Sequence, residues 1–222
     1  MPVSPEELAG RYPRLYHMAH RDSWPLISRL GLLSTSRLLD VFEVTGERRV
    51  EIESRHRAES ITIEHPTHGR AVIRDQKPMS DQGLGRALPR DISPVDWYHV
   101  LNDKVFFWLS EGRFERLRRA KAYRSDSQLK ITVSTEKLLE RELDDVWLSP
   151  INSGCTKPYP HPRDRRTFLP LQRYPFEEWV AKRGAREAVV ELAVTGGVRQ
   201  ILEVTQRVEL IAPDGSAELL WA

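Results

Sequence analysis

Leu15-Tyr16-His17-Met18-Ala19-His20 runs into Arg21-Asp22-Ser23-Trp24-Pro25-Leu26-Ile27-Ser28-Arg29-Leu30-Gly31-Leu32-Leu33-Ser34. The stretch reads as a short strand that delivers a histidine, followed by a helix capped by Asp22 or Ser23. Pro25 belongs in the first turn, where its missing N–H costs nothing, and Gly31 is the stop. No dinucleotide fingerprint accompanies it, because Gly83-Leu84-Gly85 lacks both the third glycine and the strand-to-helix setting.

Outward from this unit, Ser60–Glu64 and Arg70–Arg74 alternate across a His-Pro-Thr-His-Gly break and predict a hairpin. Val105-Phe106-Phe107-Trp108-Leu109 is a compact apolar run suited to a central strand, and Ser110 can cap the helix after it. Lys130–Ser134 alternates again and leads into a helix over Glu136–Leu143. Ala188–Val194 is a further buried strand ended by Gly196-Gly197, and Arg207–Ile211 pairs with Glu218–Trp221 across Pro213-Asp214-Gly215-Ser216. Strands and helices without a regular βαβ rhythm predict an α+β fold, read as one domain over residues 1–222. Six prolines interrupt Ser149–Ala185, which predicts a long Pro/Arg-rich loop at 149–185. A loop of that length in a compact domain is a functional or mobile one.

The 222 residues are 40% hydrophobic and 30% charged, enough to build a core and too structured in composition for global disorder. A mean hydropathy of -0.50 and apolar runs no longer than Val105–Leu109 exclude a helical bilayer span. The first residues carry no apolar signal core, so the cytoplasm is the expected location. One cysteine, Cys155, excludes an internal disulfide and a cysteine-rich zinc site. His65 and His68 with His56 could ligate zinc, but the pair sits in a turn with a proline between strands, and no metal is expected. The net charge is only +2, yet arginines cluster at Arg113, Arg116, Arg118 and Arg119 and again at Arg163, Arg165 and Arg166. Arginine's planar fork suits phosphate, so these clusters are either solvated faces or contacts for a nucleic acid or pyrophosphate.

A carboxylate within Val189-Val190-Glu191-Leu192-Ala193-Val194 needs a physical reason, because an unpaired buried charge is costly. Either Glu191 faces water from a one-sided strand, or it faces a cleft and has a chemical task.

The Leu-Tyr-His-Met strand with its following helix, the Val-Phe-Phe-Trp-Leu strand and Val190-Glu191-Leu192-Ala193-Val194-Thr195-Gly196-Gly197-Val198 resemble pieces of the ADP-ribosyltransferase fold. They are similar in particular to bacterial DNA-modifying toxins of the DarT type. Together with Ile73-Arg74-Asp75-Gln76-Lys77-Pro78-Met79-Ser80 and Ser149-Pro150-Ile151-Asn152-Ser153-Gly154, they also resemble a bacterial family of uncharacterised proteins from about Leu15 to Val208.

The resemblance implies a split mixed sheet with flanking helices and NAD as co-substrate. It implies that Glu191 is the catalytic carboxylate, with Glu187 as the alternative register, and that His17 contacts the ribose. It assigns Arg74 to NAD binding and Phe107 or Trp108, with Tyr123, to the nicotinamide ring. Asp22 falls where DarT-type enzymes place a polar residue near that ribose, commonly asparagine, so it is a departure. The implied activity is NAD-dependent ADP-ribosyl transfer to nucleic acid, DNA or RNA, with Arg163, Arg165 and Arg166 on its phosphates and an antitoxin as a partner. The competing readings are an RNA 2′-phosphotransferase-like NAD enzyme and a non-catalytic nucleic-acid-binding module with a degenerate site.

Overall fold

In a computed structural model that describes residues 2–222, the chain forms twelve strands. They are β1 (Arg14–His20), β2 (Leu32–Leu33), β3 (Ile61–His65), β4 (Gly69–Ile73), β5 (Lys104–Trp108) and β6 (Gln128–Ser134) in the first part of the chain. The second part supplies β7 (Val146–Ser149), β8 (Leu169–Pro170), β9 (Glu191–Thr195), β10 (Gly197–Val198), β11 (Thr205–Ile211) and β12 (Ala217–Trp221). Eight of them form one sheet in the order β12-β11-β6-β1-β5-β9-β7-β8, while β3–β4 is a separate hairpin and β2–β10 a short ribbon. The α+β class expected from the sequence is the class observed. Every pairing is antiparallel rather than mixed in direction.

The sheet parts in the middle. β1 and β6 pair along their whole length, from Arg14↔Ser134 to His20↔Gln128. β1 and β5 meet only at Tyr16↔Trp108. The eight strands therefore form two four-stranded halves hinged on one residue pair.

Alternation along the strands decides what each face buries. Leu129, Ile131 and Val133 of β6, and Val105 and Phe107 of β5, join one large core together with Leu192 and Val194 of β9. Phe106 and Ala193 belong to a second cluster with Trp97, Tyr98 and Phe168. Trp108 and Met18 pack with Phe114 and Tyr123 in a third. No helix among the described residues is long and apolar enough to cross a membrane.

Several expected elements shift by a few residues. The helix after β1 spans Trp24–Leu30, with Ser23 at its N-cap position in αR geometry and no side-chain cap bond. Ser110 likewise precedes the helix Glu111–Arg118 without capping it through its side chain. The strand expected from Ala188 begins at Glu191, so the carboxylate stands at a strand entrance. The 149–185 segment is not one loop, since it contains β8 and a helix over Phe176–Arg183. Its prolines mask ordinary helix signals: Pro175 before the first turn, Glu177 and Glu178 within it, Lys182 and Arg183 in the last, and Gly184 as the stop at φ 80°.

The β2–β10 ribbon brings the end of the Trp24–Leu30 helix against the turn after β9. Gly197 has φ +108°, and a Cβ there would lie 2.2 Å from the Leu32 carbonyl oxygen. Gly46 also has positive φ, +61°, but open space around it. Gly197→Ala is expected to lose about 2–4 kcal/mol of stability through combined strain and clash, and Gly46→Ala about 1 kcal/mol. Urea denaturation midpoints check this, and equal losses at the two positions would contradict the ribbon geometry.

Candidate functional site

Continuing the Tyr16↔Trp108 register would set Met18 opposite Phe106, where two strands normally exchange backbone bonds. The strands have separated there, and a buried carbonyl left behind needs another donor. His17 Nδ1 donates to the Phe106 carbonyl at 2.8 Å, and Arg74 Nη1 donates to the Met18 carbonyl at 3.1 Å. Two side chains thus satisfy the split sheet.

The first of these bonds fixes the chemistry of His17. A carbonyl only accepts, so Nδ1 carries the hydrogen and Nε2 of the neutral ring is an acceptor. Burial drives the imidazole pKa down to about 4, against the hydrogen bond to Phe106 and helped by the charge of Arg74. At neutral pH His17 is uncharged.

Arg74 leaves the end of β4 and lies over the Tyr123 ring at 5.0 Å. The Tyr123 hydroxyl donates to Asp75 Oδ1 at 2.7 Å. Burial first, then that carboxylate, pushes the phenol pKa well up, so Tyr123 stays a proton donor. Arg57, deeper, donates to the carbonyl of Arg74 at 3.1 Å and to Asn102 Oδ1 at 2.9 Å, fixing the segment after β4 against the helix Pro94–Asn102.

Glu191 stands beside Trp108 on one side and Ser149 on the other. Its Oε2 accepts from the Ser153 backbone N–H at 3.0 Å and from Ser153 Oγ at 2.6 Å. Burial pushes its pKa up to about 7, while both Ser153 bonds and then Arg163 and Arg113 favour the charged form. Trp97 Nε1 is the one buried side-chain polar atom without a partner among the described residues. Glu191 Oε1, which makes no hydrogen bond within the described chain, therefore opens onto the cleft.

That cleft holds about 330 Å³ and is lined by His17, Arg74, Trp108, Tyr123, Ser153 and Glu191, with Leu26, Ile27, Leu30 and Ile73 among its apolar walls. Strand parity sets His17 on the Leu15 and Ala19 face and Glu191 on the Ala193 face, yet one opening at the split is lined by both. A second cavity of about 990 Å³ shares Pro78, Trp108, Leu117, Tyr123 and Asn152 with the first. Its rim carries Lys77, Arg113, Arg116, Lys121, Lys157 and Arg183 against Glu59 and Glu187.

Five of the residues singled out in the sequence thus line one cleft: His17, Arg74, Trp108, Tyr123 and Glu191. Phe107 does not. Strand alternation turns it into the main core, fully buried, and Phe106 reaches the cleft instead. Asp22 is exposed on the turn beyond β1 and pairs with Arg21, while the neighbouring Ser23 lines the cleft. Glu187 is exposed and ion-paired with Arg113 on the second cavity.

Arg163 is buried, 2% exposed, with its guanidinium among backbone carbonyls, which leaves no face for a phosphate. Arg165 and Arg166 are exposed, and Arg165 lies 3.4 Å from Asp91. The residues that sequence reading missed are Ser153, Arg57 and Asn102. Ser153 sits inside a stretch already notable as a loop, but nothing local marks it as the partner of a carboxylate 38 positions away.

No curated protein matches the sequence. A solved structure described as Thermosipho africanus DarTG in complex with ADP-ribose superposes with a TM-score of 0.45 at 10% identity, over 90% of this chain and 44% of that one. This chain thus spans less than half the length of that neighbour. A family model matches residues 13–205, nearly all of the chain. By that match the chain belongs to DUF7002, a family of unknown function.

Proposed function

We propose that this protein cleaves the nicotinamide–ribose bond of NAD and transfers ADP-ribose to an acceptor. The observation that carries the proposal is the pairing, in one cleft, of a neutral histidine whose Nε2 can only accept with a buried carboxylate whose second oxygen is free. Both are the residue types, in the chain order, that the resemblance to ADP-ribosyltransferases implies.

NAD supplies a cationic leaving group, so breaking its glycosidic bond sends the bonding electron pair to nicotinamide and leaves positive charge on the ribose. Nicotinamide is flat and largely apolar, which suits a cleft walled by leucine and isoleucine with Trp108 and Tyr123 at hand. His17 Nε2 accepts a ribose hydroxyl and orients the sugar. Glu191 Oε1 accepts the other hydroxyl, stabilises the developing charge and takes the acceptor's proton as the new bond to the ribose forms. Holding a carboxylate in low dielectric strengthens that stabilisation, because water does not screen it. Arg74 contributes fixed positive charge for the pyrophosphate side.

For the acceptor, the basic rim of the second cavity favours a phosphodiester strand. Arg116 and Lys121 stand on that rim outside the ion pairs that occupy Lys77 and Arg113. Trp108 and Tyr123 belong to both cavities, so an acceptor lying in the second reaches the ribose in the first. Arg165 and Arg166 remain exposed for further phosphate contact. Arg163 does not take part in that surface.

Glu191→Gln keeps the shape and the Ser153 contacts but removes the charge. It is expected to reduce the rate of nicotinamide release by about 100-fold or more with NAD affinity retained, measured by chromatography and calorimetry. Unchanged turnover would move the catalytic role elsewhere.

The wild-type rate should climb with pH through about 7 as Glu191 ionises. His17, neutral above about pH 4, should add no limb above pH 5. Stability follows the opposite course. A carboxyl whose folded pKa lies above its unfolded value of 4.5 binds more protons when folded, so stability falls as pH rises from 4.5 through about 7. The gap corresponds to about 3 kcal/mol. Glu191→Gln should therefore be the more stable protein at pH 8 and close to wild type at pH 4.5, which thermal unfolding at the two pH values checks.

Single-stranded oligonucleotide binding, followed by anisotropy, should weaken as salt rises. Replacing Arg116 and Lys121 together with alanine should flatten the log–log slope by about one to two, while nicotinamide release persists. An absence of strand binding at low salt would turn the acceptor assignment towards a protein or a small molecule.

A further inference from the structure

Arg163 is buried beside the cleft, 2% exposed, and among the described residues it makes no ion pair. Its Nη1 donates to the His161 carbonyl at 2.6 Å, its Nε to the Ser153 carbonyl at 3.3 Å, and its Nη2 to the carbonyls of Ser153 at 3.2 Å and Asn152 at 3.4 Å. Nη2 also bonds the Cys155 carbonyl. The backbone N–H of Arg163 is anchored to the Ala87 carbonyl at 2.8 Å, and its guanidinium lies 5.9 Å from the centre of the Trp97 ring.

A buried guanidinium surrounded by neutral carbonyls is expensive unless a negative charge lies nearby. Glu191 is that charge, and a single peptide unit separates the two. The Asn152 carbonyl accepts from Arg163, and the N–H of the same peptide, that of Ser153, donates to Glu191 Oε2.

We propose that Arg163 is a positioning residue for Glu191: by gathering the carbonyls of residues 152, 153, 155 and 161 it holds both Ser153 donors on Oε2 and leaves Oε1 to the reacting ribose. The role of Oε1 rests on the transferase reading; the clamp itself does not. The far end of the loop is fixed separately. Thr156 N–H donates to the Pro78 carbonyl at 3.0 Å, and Thr156 Oγ1 accepts from the Ser80 N–H at 3.0 Å. Gly83 makes room for this contact, since a Cβ there would stand 2.6 Å from Thr156 Oγ1.

Within the loop, Arg163 helps to set the orientation of the 152–153 peptide through the Asn152 carbonyl, which also accepts from the Cys155 N–H at 3.4 Å. Five donors in a rigid fork can hold several carbonyls at once, which an ammonium on a flexible stem cannot. The clamp also supplies charge that keeps Glu191 ionisable near neutral pH. Without it, the buried carboxyl ionises only at higher pH and is less available to receive the acceptor's proton.

The test is a direct titration of Glu191 by NMR in protein carrying carbon-13 at the glutamate side-chain carboxyl, with Glu191→Gln used to assign the resonance and no NAD present. Arg163→Gln and Ser153→Ala are each expected to raise the Glu191 midpoint by about one pH unit or more. Arg163→Lys, which keeps the charge and loses the fork, should fall between them and wild type. In nicotinamide release, the alkaline rise of kcat should move in the same direction, with KM for NAD within about twofold of wild type.

Folded Arg163→Gln with an unmoved Glu191 midpoint overturns the proposal, even if the melting temperature falls, because a merely structural role lowers stability without moving that titration. Should Arg163→Gln fail to fold, unmoved midpoints in both Arg163→Lys and Ser153→Ala overturn it equally. A shifted midpoint in proteins that never release nicotinamide supports the clamp while defeating the proposed reaction, so the two failures are distinguishable.

Discussion

Two carbonyls abandoned by a parting sheet organise this site. After Tyr16↔Trp108, β1 and β5 diverge, and the Phe106 and Met18 carbonyls lose the partners that a continuous ladder would give them. His17 and Arg74 replace those partners. A single-residue hinge between two four-stranded halves creates an opening, and the side chains that repair its edges become its walls. The repair also settles a protonation state. An imidazole that donates from Nδ1 to a carbonyl in a buried setting presents a bare Nε2, whatever ligand the cleft receives.

On the opposite wall the same economy applies to charge. Glu191 sits at a strand entrance with Ser153 on one oxygen, and Arg163 stands one peptide further away. Burial raises the pKa towards neutrality while the Ser153 hydrogen bonds and then the Arg163 guanidinium oppose it. Perturbed titration of this kind, in a cleft with convergent polar groups, is what makes these residues a candidate site. Burial disfavours the charged form of both groups: His17 is kept neutral, and the Glu191 pKa is brought close to neutral pH.

Much of the fold was legible because periodicity carries it. The β3–β4 hairpin, β6 and the β11–β12 pair follow from alternation and turn residues, and β5 from its apolar run. Glu191 is legible as a polar interruption of an apolar strand, and His17 through the strand-before-helix unit and the family resemblance. Parity was the limit at β5. In Val105–Leu109 every residue is apolar, so nothing local says which of Phe106 and Phe107 faces the core. The 176–183 helix was obscured by prolines around it although its start and stop signals are intact. Arg163 is buried rather than a phosphate contact, and an arginine among prolines gives no local sign of that. Its carbonyl partners at 152, 153, 155 and 161 are assembled only by the fold. Ser153 and Arg57 each have a partner far off in the chain, Glu191 38 positions from the one and Asn102 45 from the other.

The central claim is that the opening between the sheet halves binds the nicotinamide ribose between His17 and Glu191. A crystal structure with a non-cleavable NAD analogue tests it most directly. The account requires ribose hydroxyls within hydrogen-bond distance of His17 Nε2 and Glu191 Oε1, with the nicotinamide ring beside Trp108 or Tyr123. An analogue bound elsewhere, or seated in the cleft with its ribose turned away from both residues, would contradict it.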